Sequence, residues 1–264
     1  MEFQQVLAPL NAETRDQCEF EIPADWGQGR ALFGGMAAAI AFGYLKSMLG
    51  DAAKVRSLAV SFIAPIAPGP ALLKREILRV GKSVQHAEVR IYQQDQLALV
   101  MLASFGAARP STVEHQAELI DLSAPVLAQL PKQGPVPEFT RHFDYELTAG
   151  GFPFSGNAAV KMSGRNRFNG PATAAPCSVE AVIALIDAWP PATLSWLSAP
   201  APASSLTWSL EFLTSDFAFA ATDWWYYQAQ IDAAHEGYSH IEARFIDAAG
   251  QLVAISRQTV TVFA

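Results

Sequence analysis

Residues 57–62, Ser-Leu-Ala-Val-Ser-Phe, return in altered form as residues 205–210, Ser-Leu-Thr-Trp-Ser-Leu. The echo continues downstream in the same order. Gly81-Lys-Ser83 precedes Glu88-Val-Arg90-Ile-Tyr and then Gln96-Leu97-Ala-Leu. Gly237-Tyr-Ser239 precedes Glu242-Ala-Arg244-Phe-Ile and then Gln251-Leu252-Val-Ala. Self-similarity kept in order over stretches of this length points to one structural unit built twice.

Each copy carries the same signals: an uninterrupted apolar run of helical length, then a strand, then three more strand-like runs separated by turn residues. In the first copy the helix runs from Gly35 to about Leu49 and Gly50 closes it. It is apolar on every side, so other elements must surround it. In the second copy Ser178 is the N-cap, Glu180 suits the first turn and Pro190-Pro191 stops the helix. Strands are expected at about 205–213, 224–232, 238–247 and 251–263. A helix followed by four or five antiparallel strands that curl round it is the hot-dog arrangement. The predicted fold is therefore α+β, a double hot-dog, with an N-terminal unit over 1–106, a connecting segment over 107–138 and a C-terminal unit over 139–264. The connecting segment is rich in Pro, Ala and Gln, as a stretch crossing the surface should be.

Composition agrees with a well-packed globular chain: of 264 residues 51% are hydrophobic and 16% charged. The net charge of −7, with no run of Lys or Arg, argues against a nucleic-acid surface. An anionic substrate would have to meet local basic residues. The longest uncharged apolar stretch, Ala31 to Leu45, is 15 residues, short of the roughly 20 that span a bilayer, so no membrane span is expected. The first residues, MEFQQVLAPLNAETRD, carry an early Glu and no apolar segment behind a positive one, which does not read as a secretory signal. Cys18 and Cys177 lie far apart without metal-ligand spacing. Reduced thiols and a cytoplasmic location are the expectation.

Common catalytic signatures are missing. Ser155 has Pro153 where a nucleophile elbow wants Gly. Gly27-Gln-Gly29 lacks the third glycine of a dinucleotide loop, and His235-Glu236 lacks the second His of a zincin. His240-Ile-Glu242 has no Pro-Cys-x-x-Cys partner. No cofactor and no metal are expected.

Three polar residues stand out against the apolar pattern. Asp187 falls in the last turn of the second helix, where a negative charge opposes the macrodipole by roughly 0.3–1 kcal/mol. Something else must favour it there, and apolar surroundings would raise its pKa toward that of a general base working near neutrality. The alternative is an Asp that caps the turn before Pro190. In the last strand, alternation sets Leu252, Ala254, Ser256, Gln258, Val260 and Val262 on one face, so Gln258 points with the apolar set and needs partners. The matching strand of the first copy presents Ala103 at that place. Its alternative is a bond to a loop backbone. Ser205 opens a strand whose apolar face is Leu206, Trp208, Leu210 and Phe212, so turning it inward requires a twist or bulge.

The chain resembles the acyl-CoA thioesterase II family of double hot-dog enzymes. In copy one the likeness rests on Phe33-Gly34-Gly35, Ser57-Leu58, Phe62-Ile-Ala-Pro65, Leu78-Arg-Val-Gly81-Lys-Ser83 and Ala103-Ser-Phe105, and then on Glu114-His-Gln116. In copy two it rests on Asp187, Ser205, Leu252-Val-Ala and Gln258. The resemblance implies a site in which an Asp, a Thr or Ser and a Gln hold a water; these fall on Asp187, Ser205 and Gln258. Met36 stands where the family usually has Gln, and Ser205 where Thr is common.

The implied chemistry is direct hydrolysis of an acyl-CoA thioester by water, with the backbone N–H groups of Gly34, Gly35 and Met36 as substrate-binding donors to the oxyanion. The alternative for that helix start is close packing on the sheet. A hot-dog dehydratase or hydratase is a competing reading; it would want a His on the helix, and neither helix has one. A non-catalytic acyl-CoA or lipid-binding module is another. A homodimer is expected because segments such as Trp224-Trp225-Tyr226 look too apolar for a sheet wetted on both faces.

Overall fold

The computed structural model describes residues 1–49, 54–134 and 136–264. Helix α1 spans Phe3–Asn11, α2 Gly34–Lys46 and α3 Val179–Asp187. Strands of the first half are β1 (Gln17–Ile22), β2 (Gly27–Gln28), β3 (Ala31–Leu32), β4 (Val55–Phe62), β5 (Gly69–Val80), β6 (Val84–Gln93) and β7 (Gln96–Gly106). Then come β8 (Ala128–Gln129), β9 (Phe143–Ala149), β10 (Lys161–Phe168), β11 (Ala203–Phe212), β12 (Trp225–His235), β13 (Tyr238–Ile246) and β14 (Leu252–Val262).

Twelve of these strands form one antiparallel sheet in the order β1-β5-β6-β7-β4-β11-β14-β13-β12-β10-β9-β8, while β2 and β3 pair separately. Ten strands are arranged symmetrically: β4 and β11 meet at the seam, flanked by β7 and β14, then β6 and β13, β5 and β12, β1 and β10, while β9 and β8 extend the second half alone. Two helix-plus-sheet units joined edge to edge through β4 and β11 make this a double hot-dog. α2 and α3 pack on each other against the sheet. Every residue from Gly35 to Leu45 and from Val179 to Ile186 is buried, which accounts for helices without a polar face.

The repeat extends to its irregularities. β4 and β11 are bulged at Val55/Ser57 and Ser205/Thr207, and β5 and β12 at Ile77/Arg79 and Ile231/Ala233. The first pair corrects the register read from sequence. Arg56 and Leu206 are the equivalent extra residues, so Ser205 corresponds to Val55 and not to Ser57. With the same register Ala103, opposite Leu58, answers to Gln258, opposite Trp208. Leu206, expected inside with Trp208, is 44% exposed because the bulge ejects it. Likewise Ala98 and Val253 are both buried at matching kinks in β7 and β14.

Other expectations shift modestly. α2 ends at Lys46 rather than Leu49; of its last carbonyls, those of Leu45 and Lys46 accept from the Met48 and Leu49 N–H groups, and that of Tyr44 accepts from Arg75, which stacks 4.3 Å from the Tyr44 ring. Closure by Gly50 lies outside the described residues. Ser178 caps α3, accepting from the Ala181 N–H at 3.2 Å. α1, β1, β9 and β10 are elements that the sequence pattern left unassigned. The apolar argument for a dimer loses its named example: Trp225 is fully buried and stacks on Phe245 at 5.6 Å, and Arg165 and Arg167 lie over Trp224. No helix among the described residues is long and apolar enough to cross a membrane.

Candidate active site

Asp187 is the last residue of α3, and its carboxylate lies against the first turn of α2. It accepts from Gln258 Nε2 at 2.5 Å and from the Gly35 N–H. The charge that opposes the dipole of its own helix therefore sits at the positive end of the neighbouring one, which explains its position. The C-cap bond of α3 runs from the Ala188 N–H to the Ala184 carbonyl, so the carboxylate does not serve as a turn cap. Burial pushes Asp187 up from 3.8 to about 7, against the opposing pull of the Gln258 and Gly35 hydrogen bonds.

The paired glycines make the approach possible. A side-chain carbon on Gly34 would stand 2.8 Å from Asp187 Oδ2, and one on Gly35 would stand 2.4 Å from Phe33 Cζ and 3.0 Å from Asp187 Cβ. Both are inside contact distance, so any side chain would drive the two helix ends apart. The first turn of α2 is thus close packing and anion cradle at once. Gly35 donates to Asp187, which sets its amide apart from those of Gly34 and Met36 in the same first turn. The Met36 side chain is fully buried in the core and can contribute only through its backbone.

Gln258 projects from β14 on the face that holds Val260 and Ser256, opposite Trp208 of β11 and Ile241 of β13. With Nε2 committed to Asp187, its Oε1 is free to accept. Ser205 lies opposite Val260, and the bulge puts it on the same face as Trp208 and Gln258. It makes no side-chain hydrogen bond to Asp187 or Gln258 among the described residues. Asp187, Ser205 and Gln258 are all partly exposed, so water can reach each. The structure therefore brings Asp187, Gln258, Gly34 and Gly35 into contact and leaves Ser205 outside that set, opposite Val260.

An aromatic wall escaped the sequence reading. Trp189 stacks on Tyr227 at 5.3 Å and meets Tyr145 edge-on at 5.8 Å. It lies over Gly164, where a side-chain carbon would meet its Cη2 at 2.3 Å. Burial first, then the charge of Asp187, raises both tyrosines above their ordinary value. The Tyr145 hydroxyl and Trp189 Nε1 are buried without partners among the described residues. The only sequence signal was the aromatic alternation of β9 and β12, which reads equally as core.

Comparison with known proteins fits this geometry. Among solved structures, a hot-dog protein of unknown function from Alicyclobacillus acidocaldarius superposes with a TM-score of 0.85 at 22% identity, covering 99% of this chain and 98% of that one. The acyl-CoA thioesterase II TesB2 from Mycobacterium marinum gives 0.72 at 18% identity, with 96% of each chain covered. The dehydratase domain of RzxB from Pseudomonas fluorescens gives 0.58 at 12%, covering 92% and 93%. At these identities the likeness is one of fold. No curated protein matches the sequence. Two family profiles do: the acyl-CoA thioesterase N-terminal domain over residues 22–106 and the acyl-CoA thioesterase C-terminal domain over residues 112–262. With both halves matched in order over most of its length, the chain belongs to the acyl-CoA thioesterase family of double hot-dog proteins.

Proposed function

We propose that the chain hydrolyses an acyl-CoA thioester to the free acid and CoA by direct attack of water, with Asp187 as general base. The observation that carries this is the Asp187 carboxylate held between Gln258 and the start of α2, with a pKa of about 7. Gln258 Oε1 and the Ser205 hydroxyl orient a water whose proton passes to Asp187 as its oxygen bonds to the thioester carbon. The amides of Gly34 and Met36 receive the developing oxyanion, where the α2 dipole assists. Collapse breaks the C–S bond, and the leaving thiolate takes the proton back from Asp187. No covalent intermediate forms.

Dehydration is the weaker alternative: α2 and α3 contain no His, and His142 donates from Nε2 to the Asp25 carbonyl at 2.9 Å. On the same reading the residues that hold the water, Asp187, Ser205 and Gln258, belong to one copy, in a unit spanning 139–264, while 1–106 forms the other unit and 107–138 the connection. A homodimer in the cytoplasm, serving lipid metabolism, completes the proposal; the free, buried Cys18 and Cys177 suit a reducing compartment. The test is thiol release from a panel of acyl-CoAs. Release that Gln258→Ala weakens and Asp187→Asn nearly abolishes supports the assignment; wild-type release from Asp187→Asn overturns it.

A further inference from the structure

The neighbours of Gln258 differ from their counterparts in the first half as Gln258 itself does. The register sets Trp208, Ser256 and Gln258 where copy one has Leu58, Met101 and Ala103. Leu210 faces Ser256 as Val60 faces Met101, and Ile241 and Ala243 face Gln258 and Ser256 as Ala87 and Val89 face Ala103 and Met101. Three buried apolar residues in one unit are thus answered by three hydrogen-bonding residues in the other. In copy two Trp208 Nε1 donates to Ser256 Oγ at 2.9 Å, with Trp208 1% and Ser256 3% exposed. Trp208 lies directly opposite Gln258 on β11, Ser256 lies two residues before it on the same face of β14, and Ile241 flanks it on β13.

Facing side chains on neighbouring antiparallel strands stand about 5 Å apart at their Cβ atoms. The Trp208 indole is therefore one wall of the Gln258 side chain, and its bond to Ser256 fixes the plane of that wall. Gln has several rotatable bonds, and ordering them costs conformational entropy. A wall that excludes other rotamers lowers that cost for the one that gives Nε2 to Asp187 Oδ1 and leaves Oε1 free to accept. We infer that Trp208 and Ser256 are positioning residues for Gln258, acting on hydrolysis only through it. Their effect on turnover rests on the thioesterase reading; their effect on the Gln258 amide does not. A buried indole N–H that finds an acceptor is common in any core, but two observations single this one out. Trp189 Nε1, in the same unit, is buried without a partner among the described residues, so the fold does not supply every indole with an acceptor. And copy one, which has Ala103 in place of the Gln, keeps neither the indole nor the hydroxyl that would orient it.

The experiment is a double-mutant cycle between Ser256→Ala and Gln258→Ala. It is read by thiol release from the acyl-CoA that the wild type cleaves fastest, and by the NMR signal of the Gln258 side-chain NH2, assigned by its loss in Gln258→Ala. Ser256→Ala removes one buried oxygen and should fold. It should lower kcat by about 10- to 100-fold, the scale of a slightly misplaced group, with KM within about twofold, and move the Gln258 signal toward that of a free amide. In Gln258→Ala the same change should cost less than about twofold more, because its route to the water is gone. Trp208→Leu with Ser256→Met is the pair that copy one carries, close to Trp plus Ser in combined volume, so the core stays filled. It should lose turnover and shift the signal as Ser256→Ala does. Losses that multiply in the Ser256→Ala, Gln258→Ala double variant overturn the inference, as does a Gln258 signal unmoved by both Ser256→Ala and the copy-one pair. The two readings fail apart. A wild type that releases no thiol while the signal moves refutes only the hydrolase; release with an unmoved signal refutes only the positioning role.

Discussion

Replacing Asp187 by Asn should move stability and activity in opposite directions. The carboxyl has a pKa of about 7 in the folded chain against a reference value of 3.8. Because the folded value is the higher one, the folded state binds the proton more tightly and ionisation costs stability. That cost is absent below about 3.8, grows as pH rises to about 7 and is constant beyond it. Three units correspond to about 4 kcal/mol, a ceiling that the partial exposure of Asp187 lowers. An Asn keeps the shape, but one of the two carboxylate oxygens between Gln258 Nε2 and the Gly35 N–H becomes an NH2, which cannot accept, so one donor keeps an oxygen. The other is stranded at a cost of about 1–3 kcal/mol. The net gain at pH 8 is then about 1–3 kcal/mol, a rise in Tm of roughly 2–10 °C for a chain of this size. At pH 5 about two-thirds of the ionisation cost has already gone, so the advantage of Asn should shrink or reverse. Turnover should meanwhile fall by about 100-fold or more, the scale of a lost general base. Thermal unfolding at both pH values, beside thiol release, measures each arm. An Asn variant no more stable than wild type at pH 8, or equally advantaged at pH 5, would refute the electrostatic reasoning.

Gln258→Ala should cost about 10- to 1,000-fold in turnover, as loss of one orienting group does, with far-ultraviolet circular dichroism unchanged. Gly35→Ala should lower both Tm and turnover, because the added carbon collides with Phe33 Cζ and crowds Asp187 Cβ. A crystal structure of that variant should show the Asp187 carboxylate drawn off the α2 amide. Ala103→Ser should leave turnover within about twofold, since its effect is confined to packing. Light scattering at micromolar concentration should give twice the 28.5 kDa chain mass, and a monomer there would refute the dimer.

The fold was legible because each half repeats one order of signals, and because α2 and α3 are too apolar for any place outside a core. What sequence could not supply was the register at the seam. Ser57 and Ser205 look alike, yet bulges at Arg56 and Leu206 make Val55 the counterpart of Ser205. Strict alternation cannot anticipate an extra residue. Asp187 and Gln258 were readable as polar residues among apolar ones, since each must find a partner and each finds the other. The dependence on Gly34 and Gly35 was visible only in part, because how close α3 comes to α2 is a property of packing. Tyr145, Tyr227 and Trp189 gave no warning, as aromatics on a strand or at a helix end usually report burial alone.

The central claim is that Asp187 draws a proton from water during thioester hydrolysis, and the pH dependence of kcat/KM for thiol release by the wild-type chain tests it most directly. The base works only when ionised, so the account predicts acyl-CoA hydrolysis that is flat above an inflection at about 7 and falls tenfold per pH unit below it. In Asp187→Asn that inflection should vanish with the rate. Tight acyl-CoA binding without thiol release at any pH, or the same inflection in Asp187→Asn at wild-type rate, would contradict it.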